Sequence, residues 1–96
     1  MTSIKAHLKN EAVWRISTWA VKAFLRTTIT DSKPVGMTEE GWGMLLRLYI
    51  NFDFASSEEI RRAAQVCEDC SNKHGDAIGG TALGLYVEAE RRETKN

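Results

Sequence analysis

The chain has 96 residues, 43% hydrophobic and 27% charged, which is the composition of an ordinary globular domain and excludes general disorder. Thirteen basic residues balance thirteen acidic ones, so no overall charge directs the protein to nucleic acid or to an anionic membrane surface. No apolar run approaches the ~18 residues of a membrane-spanning helix, and we therefore expect one cytoplasmic domain over residues 1–96, with no membrane partner.

The first predicted helix begins at a cap on Thr2 or Ser3 and runs to about Arg26. The β-branched stretch TTIT ends it, and the residue before Pro34 is pushed out of helical space. At about 100° per residue, one broad face of this helix is apolar and is expected to meet the core. Its residues are Leu8, Ala12, Ile16, Trp19, Ala20, Ala23 and Phe24.

Two more helices follow, each with a clear starting signal. Thr38 is a good N-cap for the second helix, which runs to about Asn51 and has acids in its first turn, where the helix dipole favours them. Ser56 or Ser57 caps the third helix, and Gly75 is well placed to end it.

A fourth helix is predicted to begin at Asp76, with Thr81 as the alternative cap. The polar segment 89–96 closes the chain as a frayed tail. About four helices with short connections predict an all-α fold, a small bundle in a single domain. The apolar face of the fourth helix comprises Ile78, Ala82, Leu85, Tyr86 and Ala89.

The first helix carries a second apolar seam nearly opposite its core face, with a basic stripe beside it. A helix that is apolar on two sides is either central in the bundle or presents one side to a partner. An exposed Trp flanked by Arg is the composition of a binding hot spot. The predicted partner-binding residues are Trp14, Val21 and Leu25 of the seam and Arg15, Lys22 and Arg26 of the stripe.

These residues favour a non-enzymatic protein that acts by stoichiometric binding to another protein, as an inhibitor or adaptor. A phage or mobile-element inhibitor of a host machine is one such role. Because Glu11 is the only acid on the first helix, pairing of the stripe with its own copy is poorly compensated. We therefore expect a foreign partner with an acidic rim, with a homodimer left open. The alternative is a nucleic-acid-binding regulator that uses the basic stripe.

No catalytic constellation is visible, so we predict that the protein is not an enzyme and needs no cofactor. The glycine cluster HGDAIGG lacks the Lys-Ser/Thr of a phosphate-binding loop and follows no predicted strand. Paired acids such as Glu58 and Glu59 are more simply explained as first-turn partners of the helix dipole.

The segment QVCEDCSNKHG places Cys67, Cys70 and His74 within one arc of the third helix. Three such ligands can converge on one point, but zinc needs a fourth, and His7 is the only other histidine. Both cysteines also lie on the stripe that faces the core, where a thiol packs as a small apolar group. We therefore predict two core cysteines and no metal, with a metal site at these three residues, or a redox pair, as the weaker alternatives.

Overall fold

The structure, a computed structural model, describes residues 11–30, 33–34, 36–74 and 79–94, without the side chains of residues 11 and 72–74. Throughout these ranges the chain is all-α, as predicted, and no helix is long and apolar enough to cross a membrane. A 3₁₀ helix opens the described part at Glu11–Arg15, and a second one, Phe52–Phe54, lies between two α-helices. The α-helices are α1 (Thr18–Thr30), α2 (Glu39–Ile50), α3 (Ser57–His74) and α4 (Gly79–Thr94).

The first predicted helix is broken, which the sequence did not predict. Ser17 ends the 3₁₀ segment and caps α1: its hydroxyl accepts a hydrogen bond from the Ala20 amide at 3.1 Å, and its carbonyl accepts one from the Val21 amide at 3.0 Å. Such side-chain capping satisfies amides that have no partner inside the helix. The predicted start at residues 2–3 lies outside the described residues.

Helix α1 also runs four residues beyond its predicted end at Arg26. β-Branched residues lose side-chain freedom in a helix, which is why the stretch TTIT was expected to end it. Here each threonine hydroxyl donates to the carbonyl four residues earlier, at 2.6–3.0 Å. Thr28 in addition lies 2.8 Å from the Thr81 hydroxyl of α4. The threonines are thus satisfied within the helix and by its neighbour.

The predicted caps of the next two helices are confirmed. The Thr38 hydroxyl accepts from the Gly41 amide at 3.0 Å at the start of α2. At the start of α3 the Ser56 hydroxyl accepts from the Glu59 amide at 3.1 Å and donates to the Glu59 carboxylate at 3.3 Å. The predicted boundary at Gly75 and Asp76 lies outside the described residues.

Helix α4, rather than the first helix, is central in the bundle. It packs against both α1 and α3 and is buried at every position from Gly84 to Ala89. At Gly84 helix α4 lies directly against α1: a Cβ there would be in van der Waals contact, 3.4 Å from the Phe24 ring and 3.5 Å from a Val21 methyl. Small residues let helices approach, so α4 can be enclosed by its neighbours in a short chain.

Two predictions about α4 are wrong. The alternative start at Thr81 fails because that residue lies inside the helix, buried against α1. The frayed tail predicted for 89–96 is instead helical as far as Thr94, and Ala89 belongs to the core. The polar sequence of this segment misled the prediction, since its arginines bond to groups inside the fold, as described below.

Candidate functional site

Several residues of the first helix lie on the opposite side from the one predicted, although Ile16 packs against the core as expected. Val21 and Leu25, predicted to bind a partner, are fully buried and belong to the core. Trp19 and Phe24, predicted to face the core, are 79% and 41% exposed. The apolar side that α1 offers to solvent is therefore the side of Trp19.

The break at Ser17 shortens the face that was predicted to meet the core, and α4 packs against the other side of α1. Apolar residues before it, such as Ile16, precede α1 and do not continue one stripe with Trp19. Once α1 is considered alone, Val21 and Leu25 lie on one face four residues apart, and the neighbouring helix α4 has a glycine opposite that face. Trp14, in the 3₁₀ helix, is 40% exposed and no longer shares a helix with them.

A second exposed aromatic side chain lies on a segment that an ion pair joins to α1. In the 3₁₀ helix Phe52–Phe54, Phe52 enters the core and Phe54 is 87% exposed. Asp53, between them, forms an ion pair with Lys22 at 3.8 Å, one helical turn after Trp19. We name this region the Trp19–Phe54 surface, and we assign to it Trp19, Lys22 and Arg26 of α1 with Asp53 and Phe54. We add the exposed Arg15 from the 3₁₀ helix because it precedes Trp19 by four residues in the sequence.

Most of the positively charged side chains of this surface have no acidic partner among the described residues. Within the described residues, neither Arg15 nor Arg26 has a carboxylate at ion-pair distance, and the same holds for Arg47 of α2. All arginines of α3 and α4 have acidic partners. The pairs are Arg61 with Glu90 and Glu93, Arg62 with Glu58, and Arg91 and Arg92 with Glu88.

A buried carboxylate supports both parts of the Trp19–Phe54 surface. Glu88, 2% exposed at the centre of α4, accepts from Arg91 at 3.1 Å and Arg92 at 2.8 Å, and from the hydroxyl of Thr18 at 2.9 Å. Thr18 is the residue before Trp19, so this bond anchors the start of α1.

The two arginines that bind Glu88 also bind backbone carbonyls in other segments of the chain. Arg91 donates to the Ile16 carbonyl, just before α1. Arg92 donates to the carbonyls of Phe52 and Ala55 at 2.8 Å each, and its guanidinium lies 4.8 Å from the centre of the Phe52 ring. We call Glu88, Arg91 and Arg92 the α4 clamp, because it holds both segments that carry the exposed aromatic side chains.

A second buried polar cluster joins α4 to α3. The Tyr86 hydroxyl lies 3.0 Å from the Gln65 side-chain oxygen and 3.1 Å from a Glu68 carboxylate oxygen. Burial, together with the charge of Glu68, raises the pKa of Tyr86 to about 12. A phenol that stays protonated and is buried between helices serves to hold them together.

Helices α2 and α3 approach closely at Gly41, where a Cβ would lie 2.8 Å from a Val66 methyl. At the other end of this helix pair lies an open groove with an apolar floor. Its most exposed apolar side chain is Ile50, which is 84% exposed. The groove is lined by Met44, Arg47, Leu48, Ile50, Asn51, Glu59 and Arg62.

The prediction that Cys67 and Cys70 lie in the core is confirmed, and both are thiols rather than a disulfide. The side chain of His74, the third candidate ligand, and all of His7 lie outside the described part of the structure. In the described residues, no group of three or more histidine, cysteine or acidic side chains is arranged to hold a metal ion. The thiols are packed as small apolar groups in α3.

We predict that Cys67 is unreactive in the folded protein. Burial raises the pKa of its thiol to about 12. At pH 8 this leaves roughly a thousandfold less thiolate than an exposed cysteine with its ordinary pKa of about 8.5. In a Cys70→Ala background, where Cys67 is the only thiol, a disulfide reagent should react far more slowly with native protein than with denatured protein. Equal rates would contradict the burial of Cys67.

No protein-family model, curated protein or solved structure matches this chain.

Proposed function

We propose that the protein acts by stoichiometric, non-catalytic binding to another protein through the Trp19–Phe54 surface, as an inhibitor or adaptor. The observation that carries the proposal is the exposure of Trp19 and Phe54 on elements joined by the Lys22–Asp53 ion pair. Single exposed apolar residues are normal in soluble proteins. Here two large exposed aromatic side chains lie on linked elements, beside arginines that have no acidic partner among the described residues, and this is the composition of an interface hot spot.

The energetic argument concerns the area these rings can bury. A tryptophan or phenylalanine buries about 150–250 Å² on full desolvation, which at ~25 cal/mol per Å² corresponds to roughly 4–6 kcal/mol before the costs of association. The α4 clamp reduces those costs, because it holds the backbone on both sides of the surface in advance. The proposal therefore needs no large conformational change on binding.

The protein's compartment is part of the same proposal. Two thiols in the core are in keeping with the reducing environment of the cytoplasm. A partner is accordingly sought among cytoplasmic proteins, including those of a host machine that a phage or mobile element would inhibit.

The proposal is tested by placing a photo-cross-linking amino acid at position 19 in cells of the source organism. We expect a cross-linked protein species of defined mass that is resistant to nuclease. The control is the same amino acid at Asp69, an exposed position of α3 outside the Trp19–Phe54 surface. Absence of any protein adduct at position 19, or identical adducts at both positions, would contradict the proposal.

We further predict that Trp19→Ala prevents association with the cross-linked partner while leaving the fold intact. Loss of a hot-spot tryptophan costs about 2–4 kcal/mol of binding free energy, a roughly 30- to 1000-fold loss of affinity. The matched control is Ile50→Ala, which removes an equally exposed apolar side chain of the α2–α3 groove and should bind within about threefold of the wild type. Isothermal titration with the purified partner measures both. Equal losses in the two variants would place the interface elsewhere.

Nucleic-acid binding is the second candidate, and one observation favours it. Arg15 and Arg26 have no acidic partner in the described structure and accompany an exposed indole, a combination that can hold phosphates and stack a base. Asp53 argues against nucleic-acid binding, since an exposed carboxylate on the same surface repels phosphate. Gel-shift titrations with single- and double-stranded DNA and RNA at two salt concentrations test this second candidate. Binding that weakens steeply as the salt concentration rises would support it, because phosphate contacts give affinity this dependence.

A further inference from the structure

The arginines of this protein are divided between two environments. The four on α3 and α4 are neutralised by acids of the same helix or its neighbour. Arg15 and Arg26 have no such acid among the described residues, and α1 itself contains no acidic residue. Among the described residues, positive charge is therefore in excess on the side of α1 where Trp19 is exposed.

The position of Arg26 on α1 makes this charge useful for recognition. Arg26 lies seven positions after Trp19 in the same helix. At about 1.5 Å and 100° per residue, this places it roughly 10 Å along the helix on the same face. Between them lies Ala23, a small side chain that does not obstruct a partner. Arg15 precedes Trp19 by four residues. The indole is therefore bracketed along the chain by two cations.

This arrangement argues against a second copy of the chain as the occupant. Pairing two Trp19–Phe54 surfaces would bring Arg15 and Arg26 of both copies together, and the only acid of that surface, Asp53, is already paired with Lys22. Like charges brought together at an interface cost several kcal/mol. A nucleic acid would supply negative charge but would also meet Asp53, and three cations neutralise few phosphates.

We infer that the partner is an acidic protein, which places an apolar pocket over Trp19 and carboxylates against Arg15 and Arg26. This inference rests on the proposed function and adds the chemistry of the partner surface. Arginine forms two parallel hydrogen bonds with a carboxylate, so the contact selects for position as well as for charge. The Lys22–Asp53 pair, which joins α1 to the segment that carries Phe54, borders this contact.

The test uses the protein captured by the cross-linker at position 19 from nuclease-treated lysate, identified by mass and then purified. Its affinity is measured for the wild type, for Arg15→Gln with Arg26→Gln, and for Arg47→Gln. Arg47→Gln removes the third arginine that has no acidic partner among the described residues. This arginine lines the α2–α3 groove instead. We expect the double variant to bind about tenfold or more weakly, with a flatter dependence on salt, and Arg47→Gln to bind as the wild type.

The possible failures are distinguishable. If a protein is captured and needs Trp19, but binds equally well to the double variant, the acidic partner is wrong and the proposed function stands. If nothing is captured, or only a second copy of the chain or nuclease-sensitive material, both are wrong. An Arg26→Lys variant that retains full affinity, together with loss in the glutamine variants, would support charge itself but overturn the paired hydrogen bonds to carboxylate.

Discussion

Leu25→Ala is expected to lower the free energy of unfolding by about 2–5 kcal/mol, the range for removing a fully buried leucine. Leu25 has no exposed surface and lies in the core with Val21. Its loss leaves a cavity that the packed helices cannot fully close. For a domain of this length the melting temperature should fall by about 4–8 °C for each kcal/mol lost. Thermal and denaturant unfolding of the two proteins measure the difference.

The matched variant is Trp19→Ala, which removes a larger side chain from the same helix. Because Trp19 is 79% exposed, we expect a change within about 0.5 kcal/mol, in either direction. The pair tests which face of α1 is buried, independently of any partner. Were Trp19→Ala to destabilise the protein as much as Leu25→Ala, the indole would be part of the core and the Trp19–Phe54 surface would not exist in solution.

Those features of the fold that depend on neighbouring residues could be predicted from the sequence. Thr38 and Ser56 are each followed by acids, and this local signal located the starts of α2 and α3. Burial of Cys67 and Cys70 followed from their spacing with other small apolar residues. Each of these predictions required only residues within a few helical turns, where periodicity and capping chemistry act.

The start of α1 was not predicted although its cap, Ser17, is local, because the predicted helix ran through this residue without a break. A second contact that holds the chain just before α1 comes from far along the sequence. The carbonyl of Ile16 is bonded by Arg91, which is separated from it by 75 positions. Contacts between residues far apart in the sequence also explain the misassigned tail. The arginines near the C-terminus look like ordinary solvent-exposed residues until the burial of their partner Glu88 is known. Non-local polar contacts leave no periodic pattern.

The candidate site was predicted in part. Arg15, Lys22 and Arg26 were named from the sequence, and they lie on the surface that is now proposed to bind. Trp19 was assigned to the wrong face, since an apolar residue gives no local sign of whether it meets its own core or a partner. Phe54 was missed, although the alternation in FDF offered a signal: a short turn can direct only one of two such rings inward.

Glu88→Ala is expected to have the other large effect, a loss of about 3–5 kcal/mol of stability. The substitution leaves Arg91 and Arg92, both largely buried, without their carboxylate, while Thr18 loses its acceptor. An uncompensated buried charge costs more than the ion pair contributes, which is why removing one partner is severe. Denaturant unfolding measures the loss. The matched control is Glu90→Ala, which opens a half-exposed ion pair with Arg61 and should cost at most about 1 kcal/mol.

The α4 clamp also makes a prediction about binding, because Thr18 precedes Trp19 and the Phe52 carbonyl lies two residues before Phe54. If the clamp holds the Trp19–Phe54 surface in its binding geometry, Glu88→Ala should weaken partner binding even at a temperature where the variant is still folded. Glu90→Ala, which touches neither segment, should not. Full affinity in folded Glu88→Ala would mean that the clamp stabilises the bundle alone. Loss of affinity with little loss of stability would show the opposite, that its main role is to position the two aromatic side chains.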